Sequence, residues 1–579
     1  MTDLMIDSPK EKQKLHRLTI ADGLFILVGA AAAVLRLTEL SKLPLSAAEA
    51  QEALAVWQFW QPGSANLVFS SPAYFTFTAL LTPLFGVSDG VMRLVPALFG
   101  VMLVLLPWLL RERLTTAGAL VTAVFLTVSP IAVVVSRTAG GDAIALLAAF
   151  LLLTAWVKER DTGNGRWFTV FTIALALGLT SSPLFYSALA TLGLAWLGQR
   201  FIGPALFAEE GVGRETAVFR SSILIGGGVF LLISAFFLLN LGGLGASASI
   251  LGDWLRQFGG AGSLNGVLTP FLAVIRYEIA LLVLGLAAII WAAWRTQPLP
   301  MFNVYWLIGL LFLLALQQGV LSNAALLIVP LYLIIGAFSG AVIGGRITRH
   351  GWLLTAGFLV LWAVILVNTG RFLRVMMFSA NDLSNVWTAL FALAFALTLI
   401  FFALGWDSRA TYQAVLLSVL VMLVIYNWGT AWWLGHEAAN DPRETWVTTG
   451  TDSGMLTLTA VIEDLSWQLS RSDRDVDLLS TVDNPMLRWY FRDYVNAEIG
   501  KTAVPTANQT LIITPADAQT ALGASYMGSD YAIIRTAPVE LAPSASPTLD
   551  TLRWWLFHQS PNKPAQERVI LWVKMETAP

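Results

Sequence analysis

LPLSAAEAQEALAVWQFW, residues 43–60, follows the first long apolar run of the chain and is too polar to cross a bilayer. From Ala47 onward it reads as a short helix with Leu54, Trp57, Phe59 and Trp60 on one edge and Glu49, Gln51 and Glu52 on the other. Such a helix is expected to lie on the membrane surface, apolar side down. It would hold its carboxylates at the mouth of whatever the later apolar segments enclose.

The surrounding chain is that of a polytopic α-helical membrane protein. Of 579 residues, 56% are hydrophobic and only 12% charged, against roughly 25% charged in soluble domains; mean hydropathy is +0.69. A formal net charge of -2 argues against a nucleic-acid partner. With no cysteine, disulfides and thiolate chemistry are excluded. The four histidines (His16, His350, His436, His558) are scattered, which argues against a His-based metal site or triad. The run after the polar residues 1–18 reads as a retained first span, not a signal peptide.

About 20 apolar residues are needed to span. Segments 19–38, 91–110, 117–135, 142–157, 167–182, 184–199, 221–241, 276–294, 302–318, 322–344, 351–368, 386–404 and 410–427 qualify, which makes about thirteen transmembrane helices within 19–427. The short, Thr-rich segment 72–85 is ambiguous, and charge decides it. If it does not span, Arg17, Arg111, Arg113, Lys158, Arg160, Arg166, Arg200, Arg295, Arg346, Arg349 and Arg409 all fall on the N-terminal side of the membrane. Cytoplasmic loops collect such residues. Segment 72–85 is therefore expected as a re-entrant or surface helix in a first outer loop, 39–90, with the N-terminus inside and the C-terminus outside.

Residues 428–579 change character, with acids, prolines and short alternating runs. Helices are expected at 454–470, 485–496 and 549–558, and strands at 475–480, 509–514, 529–536 and 567–574. The alternation implies an extracytoplasmic α/β domain with a mostly parallel sheet.

The polar signals cluster in the outer loops. One is Glu49 with Glu52; another is the turn SRTAGGD, ending in Asp142 at the start of an apolar run. Asp142 reads either as a helix cap or as a carboxylate opposite Glu49. Glu49 reads either as catalytic or as part of a solvated face. Arg137, Arg276, Arg371 and Arg374 fall on the side that basic residues avoid. A guanidinium there can hold a lipid phosphate bidentately, or contact ordinary headgroups or acids of the C-terminal domain; Glu278 is a ready partner for Arg276. Trp432, Trp433, Trp489, Trp554 and Trp555 read as core packing or as platforms for sugar rings.

A surface helix with an acid after the first span, then SSPAYFTFTALLTPLFG, SDGVMRLVPALFGVMLVLLPWLLRERL and TVSPIAVVVSRTAGGDAIALLAAF, form an order that resembles the GT-C superfamily of membrane glycosyltransferases. These include protein O-mannosyltransferases and lipid A aminoarabinose transferases. The chain is most similar to a prokaryotic family often labelled flippase activity-associated, whose outer-domain hallmark is matched by PMLRWYFRDY, Pro485–Tyr494. The resemblance implies sugar transfer from a polyprenyl-phosphate donor to a protein or glycan acceptor on the outer face. Glu49 would be the general base, Asp142 a second catalytic contact, and Glu52, Arg137, Arg276, Arg371 and Arg374 substrate-binding residues. No cofactor is implied, because arginines can hold a monophosphate leaving group without a metal. The family's Asp-Glu pair is Ala48-Glu49 here, its His is Ser71, and its Lys-Glu step is Ser182-Pro183. Those replacements keep a second reading open, a non-catalytic scaffold or binding subunit of a membrane complex. A third, a transporter or flippase, would call for broken helices paired between two halves, and no such repeat is visible in the sequence.

Overall fold

The computed structural model describes residues 19–62, 67–203, 216–259, 264–317, 320–345, 347–378, 384–447, 449–500, 509–518, 525–537 and 563–575. Through residue 437 the described chain is helical. In order come α1 (Ile20–Leu37), α2 (Ala47–Phe59), α3 (Pro72–Phe85), α4 (Asp89–Leu105), α5 (Arg111–Leu114), α6 (Thr116–Val128), α7 (Pro130–Arg137) and α8 (Asp142–Thr162). Then follow α9 (Arg166–Leu179), α10 (Pro183–Ile202), α11 (Thr216–Ser234), α12 (Gly242–Arg256), α13 (Leu264–Tyr277) and α14 (Ile279–Arg295). The last of this part are α15 (Pro298–Leu316), α16 (Ala325–Ile343), α17 (Arg349–Phe378), α18 (Ser384–Trp406) and α19 (Ser408–Trp432). The segments expected to span fall on helical chain, but 117–135 and 276–294 each break across two helices and 221–241 runs past the end of α11 at Ser234. By length and composition, six described helical runs can cross a membrane, or eight if each of two bent pairs is one span. The protein is a multi-pass membrane protein. Helices α12 and most of α13 were not foreseen, because GGLGASASILGDWLR is too rich in Gly and Ser to stand out by hydropathy.

Helix α3 has Ser71 as its N-cap and Pro72 in its first turn. Its 14 residues reach only about 21 Å, well short of a ~30 Å hydrocarbon core. Helix α2 departs from the expected surface orientation. Glu49 and Glu52 are buried, whereas Trp60 is half exposed. The acidic edge faces the protein because hydrogen-bond partners wait for it there.

Two helix pairs are bent, α6–α7 by 57° and α13–α14 by 99°. Pro130 lacks an N–H, so the first bend strands backbone groups that lipid will not satisfy. Arg36 on α1 donates to the carbonyls of Leu126 (2.9 Å) and Thr127 (3.1 Å) on one side of the break. On the other side Glu278, at the second bend, accepts from Ile131 N (3.1 Å) and from the Ser129 hydroxyl. The Tyr332 hydroxyl also donates to Glu278. Each bend thus supplies what the other lacks. Glu278 was expected to pair with Arg276; instead Arg276 meets Glu444 (3.2 Å), which also accepts from the Tyr277 hydroxyl (2.7 Å).

The C-terminal part is an α/β unit with α20 (Gly454–Ser470), α21 (Pro485–Tyr490) and strands β1 (Thr449–Thr451), β2 (Leu478–Ser480), β3 (Ala497–Ile499), β4 (Leu511–Pro515), β5 (Tyr526–Thr536) and β6 (Ala565–Lys574). The sheet order is β1-β5-β6-β4-β2-β3. It is mixed and not mostly parallel: β2 runs parallel to β3 and β4, and the β1–β5, β5–β6 and β4–β6 pairs are antiparallel. Helix α21 ends at Tyr490, earlier than the expected 496, and turns follow it. The helix expected at 549–558, with Trp554 and Trp555, lies outside the described residues.

Helix α21 anchors this unit to the membrane part. Trp489 Nε1 and the Tyr490 hydroxyl both donate to Asp89, the first residue of α4, at 2.8 and 2.7 Å. Leu45 N donates to the same Tyr490 oxygen (3.0 Å), and Thr451 Oγ1 donates to the Leu45 carbonyl (2.7 Å). Met486 and Trp489 join the apolar core of the helical part. Trp489 therefore packs at the junction of the two parts.

Candidate active site

Several helix starts and turns meet at a cavity of about 740 Å³. Its walls include Ala48, Gln51 and Glu52 of α2, Ser70 and Ser71 before α3, the α7–α8 turn from Thr138 to Asp142, and Ser181–Pro183 at the start of α10. Ser249, Asp253 and Arg256 of α12 and the loop residue Trp446 complete it. Backbone contacts lock these turns together. Ala73 N donates to the Thr180 carbonyl (2.8 Å). A Cβ on Gly141 would sit 2.1 Å from the Ser181 carbonyl oxygen and 2.4 Å from Ser71 Oγ, so only glycine allows that approach. The Gly-Gly step of SRTAGGD is what lets Asp142 reach the cavity wall. The N-cap of α8 is Gly141, with no side-chain cap bond; Asp142 is the first helical residue, so the capping reading is corrected.

Glu49 does not line this cavity. It borders a smaller one of about 180 Å³, which shares Thr138 and Trp446 with the larger. There its oxygens are fully engaged. Arg93 Nε and Nη2 donate to Oε1 and Oε2, each at 2.8 Å. Ala139 N donates to Oε1 (2.9 Å) and Ser46 N to Oε2 (2.9 Å). With Glu49 N bonded to Ser46 Oγ, this is a capping box. Burial alone would raise the Glu49 pKa, but the Arg93 ion pair and the hydrogen bonds outweigh it and hold the carboxyl below its ordinary value. A carboxylate so placed is a poor proton acceptor. Glu49, expected as the general base, has both carboxylate oxygens occupied by these partners in the structure.

Glu52, one turn on, has the opposite surroundings. Its Oε1 accepts from Ser70 N (2.8 Å) and the Ser70 hydroxyl, while its Oε2 is buried without a hydrogen-bond partner. Burial pushes its pKa above the ordinary value, only partly offset by the Ser70 side chain and backbone and by the Ser71 backbone N–H. Ser182, on the same cavity, is buried and directs its hydroxyl toward Asp142. An unused buried polar atom beside a cavity is what a polar ligand would satisfy.

The expected phosphate-binding arginines are elsewhere. Arg137 is buried, and its guanidinium donates to the carbonyls of Leu35, Arg36, Thr38, Glu39 and Gly435; it ties the C-terminal end of α1 to residue 435. Arg276 is buried against Glu444. Arg371 is exposed on α17 and lines none of these walls; the side chain of Arg374 lies outside the described residues. The cation on the large cavity is Arg256, at the C-terminal end of α12 and paired with Asp253 at 2.8 Å. It was missed because α12 was not foreseen as a helix. Glu49 carried a readable signal, Ser46-x-x-Glu49, which is a capping-box pattern.

Comparison with known proteins follows this geometry. The family described as dolichyl-phosphate-mannose-protein mannosyltransferase matches residues 70–212. No curated protein matches the chain. Among solved structures, ArnT from Cupriavidus metallidurans in the apo state is 15% identical, with a TM-score of 0.54 over 92% of this chain and 100% of that one. ArnT from the same organism bound to undecaprenyl phosphate gives 15% and 0.54 over 91% of this chain and 99% of that one. The chain has the GT-C fold. Ala48, Ser71 and Ser182-Pro183, the positions at which the sequence departs from the pattern it resembles, all line the large cavity with Glu52 and Asp142.

Proposed function

We propose that this protein transfers a sugar from a polyprenyl-phosphate donor to an acceptor hydroxyl in the 740 Å³ cavity, at the outer face of the plasma membrane. The observation that carries the reading is the convergence of Glu52 and Asp142 on that one cavity, with Arg256 beside them. The neighbouring ArnT structure holds undecaprenyl phosphate, which supports a lipid-phosphate donor. In the reaction the acceptor oxygen attacks the anomeric carbon and the bond from that carbon to the phosphate oxygen breaks. The acceptor proton passes to Glu52, whose raised pKa and place on the cavity wall suit a general base. Asp142 orients the acceptor or the sugar. The departing lipid phosphate takes the bonding pair, and Arg256 offsets its charge. Glu49 and Arg137 act through position: they hold the turn that carries Asp142. We infer from the charge bias of the loops a thirteen-span topology with the N-terminus inside and the α/β unit outside; under it the cavity faces the side of that unit.

The experiment uses the full chain in vesicles with a polyprenyl-phosphate sugar and follows release of polyprenyl phosphate. Wild-type turnover that is lost in Glu52→Gln and in Asp142→Asn supports the reading; unchanged turnover in both sinks it. A second reading has its own observation. Ala48, Ser71 and Ser182 stand where the family carries Asp, His and Lys, so the cavity would bind lipid phosphate as part of a membrane complex without chemistry. Binding of polyprenyl phosphate with no release from any donor favours that reading.

A further inference from the structure

A second cavity, about 560 Å³, lies between α17, α18 and α19. Leu353, Leu354, Gly357, Phe358 and Leu361 form one wall and Leu399, Ala403 and Trp406 the other. Its polar lining is confined to one end, at His350 and Asp407. Helices α17 and α18 present many apolar side chains outward: Leu353 is 64% exposed, Phe401 74% and Trp406 94%. The slot therefore opens onto lipid. At its polar end Arg349 precedes His350, and Arg409 follows Asp407 by two residues. Both arginines are exposed. Asp407 is occupied as the N-cap of α19, accepting from Ala410 N at 3.0 Å. Arg409 Nη2 donates to the Gly344 carbonyl (2.6 Å). His350 and Asp407 thus line the end of the slot, and two exposed arginines, Arg349 and Arg409, adjoin those lining residues in the chain without lining the slot themselves.

We propose that this slot binds one anionic phospholipid of the inner leaflet, its acyl chain between α17 and α18 and its phosphate at Arg349 and Arg409. An apolar groove alone would take any hydrocarbon; the cationic rim selects a negative headgroup. The charge bias of the loops places this end in the cytoplasmic leaflet, where anionic lipids attract basic residues at the membrane edge. The site is independent of the sugar-transfer reading, since none of its lining residues borders the large cavity.

The test is native mass spectrometry of the full chain released from nanodiscs of phosphatidylglycerol mixed with phosphatidylcholine of the same chains. Wild type should retain one phosphatidylglycerol in preference to phosphatidylcholine. Arg349→Gln should cut that preference about five-fold, the weight of one basic residue near an anionic surface. Gly357→Leu puts a side chain into the slot from a position where a Cβ meets nothing within 4 Å; it should abolish the retained lipid. Equal retention of both lipids by wild type, or retention unchanged in Gly357→Leu, would overturn the proposal. So would a dimer that Gly357→Leu dissociates, which would give the slot to a second copy of the chain.

Discussion

Glu49 and Glu52 sit one turn apart on the same short helix and have opposite fates. Glu49 accepts four hydrogen bonds, two of them from a buried guanidinium. Glu52 leaves one oxygen without a partner at the wall of a cavity. Both are buried, so burial does not separate them; the number and charge of their partners does. An acid whose lone pairs are spent holds structure, and one whose lone pairs are free has capacity for chemistry.

The sharpest way to break this contrast is a pair of isosteric changes. Glu52→Gln should lower polyprenyl-phosphate release by about 10²–10⁴-fold, the usual weight of a general base, with no loss of thermal stability. Equal rate losses in Glu49→Gln and Glu52→Gln at full stability would dissolve the distinction. Next in size, Arg93→Ala strands the Glu49 charge in the interior and should cost about 3–5 kcal/mol, read from unfolding in mixed micelles. Adding Glu49→Gln to it should recover part of that loss. Gly141→Ala drives a Cβ into the Ser181 carbonyl and should cost about 1–3 kcal/mol; activity should fall with it, because Asp142 is the next residue.

The smallest effect is in pH. The Glu49 pKa is lowered, so its contribution is present above the ordinary glutamate value and lost as pH falls through the lowered one. The Glu52 pKa is raised, so its contribution is present below the ordinary value and lost as pH rises through the raised one. Stability profiles should follow. Glu52→Gln gains on wild type as pH climbs to neutrality, while the deficit of Glu49→Gln shrinks in acid. Turnover of the wild type should fall on an acid limb lying above the ordinary glutamate value.

Much of this was legible in the chain itself. Long apolar runs marked the helices of the membrane part because lipid demands continuous apolar length. The Gly-Gly-Asp step was legible as a tight turn before an apolar run; that Gly141 abuts the Ser181 carbonyl was not, because that neighbour is distant in the chain. The partner of Glu49 was not legible: Arg93 is 44 residues away, and nothing local pairs them. Helix α12 escaped because its Gly and Ser residues dilute the apolar signal. Sheet direction escaped for a related reason, since alternation within a strand says nothing about the direction of its neighbour.

The cross-bracing of the two bends also fixes an order of events. Arg36 is made before the Pro130 break that it supports, but Glu278 is synthesised 147 residues after Ile131. At 5–20 residues per second that is on the order of ten seconds of translation. During that interval the α6–α7 segment must keep its open N–H groups where water or the insertion machinery can serve them. The kinked span, and with it the turn that presents Asp142, takes its final place only after Glu278 has been made and can reach the break.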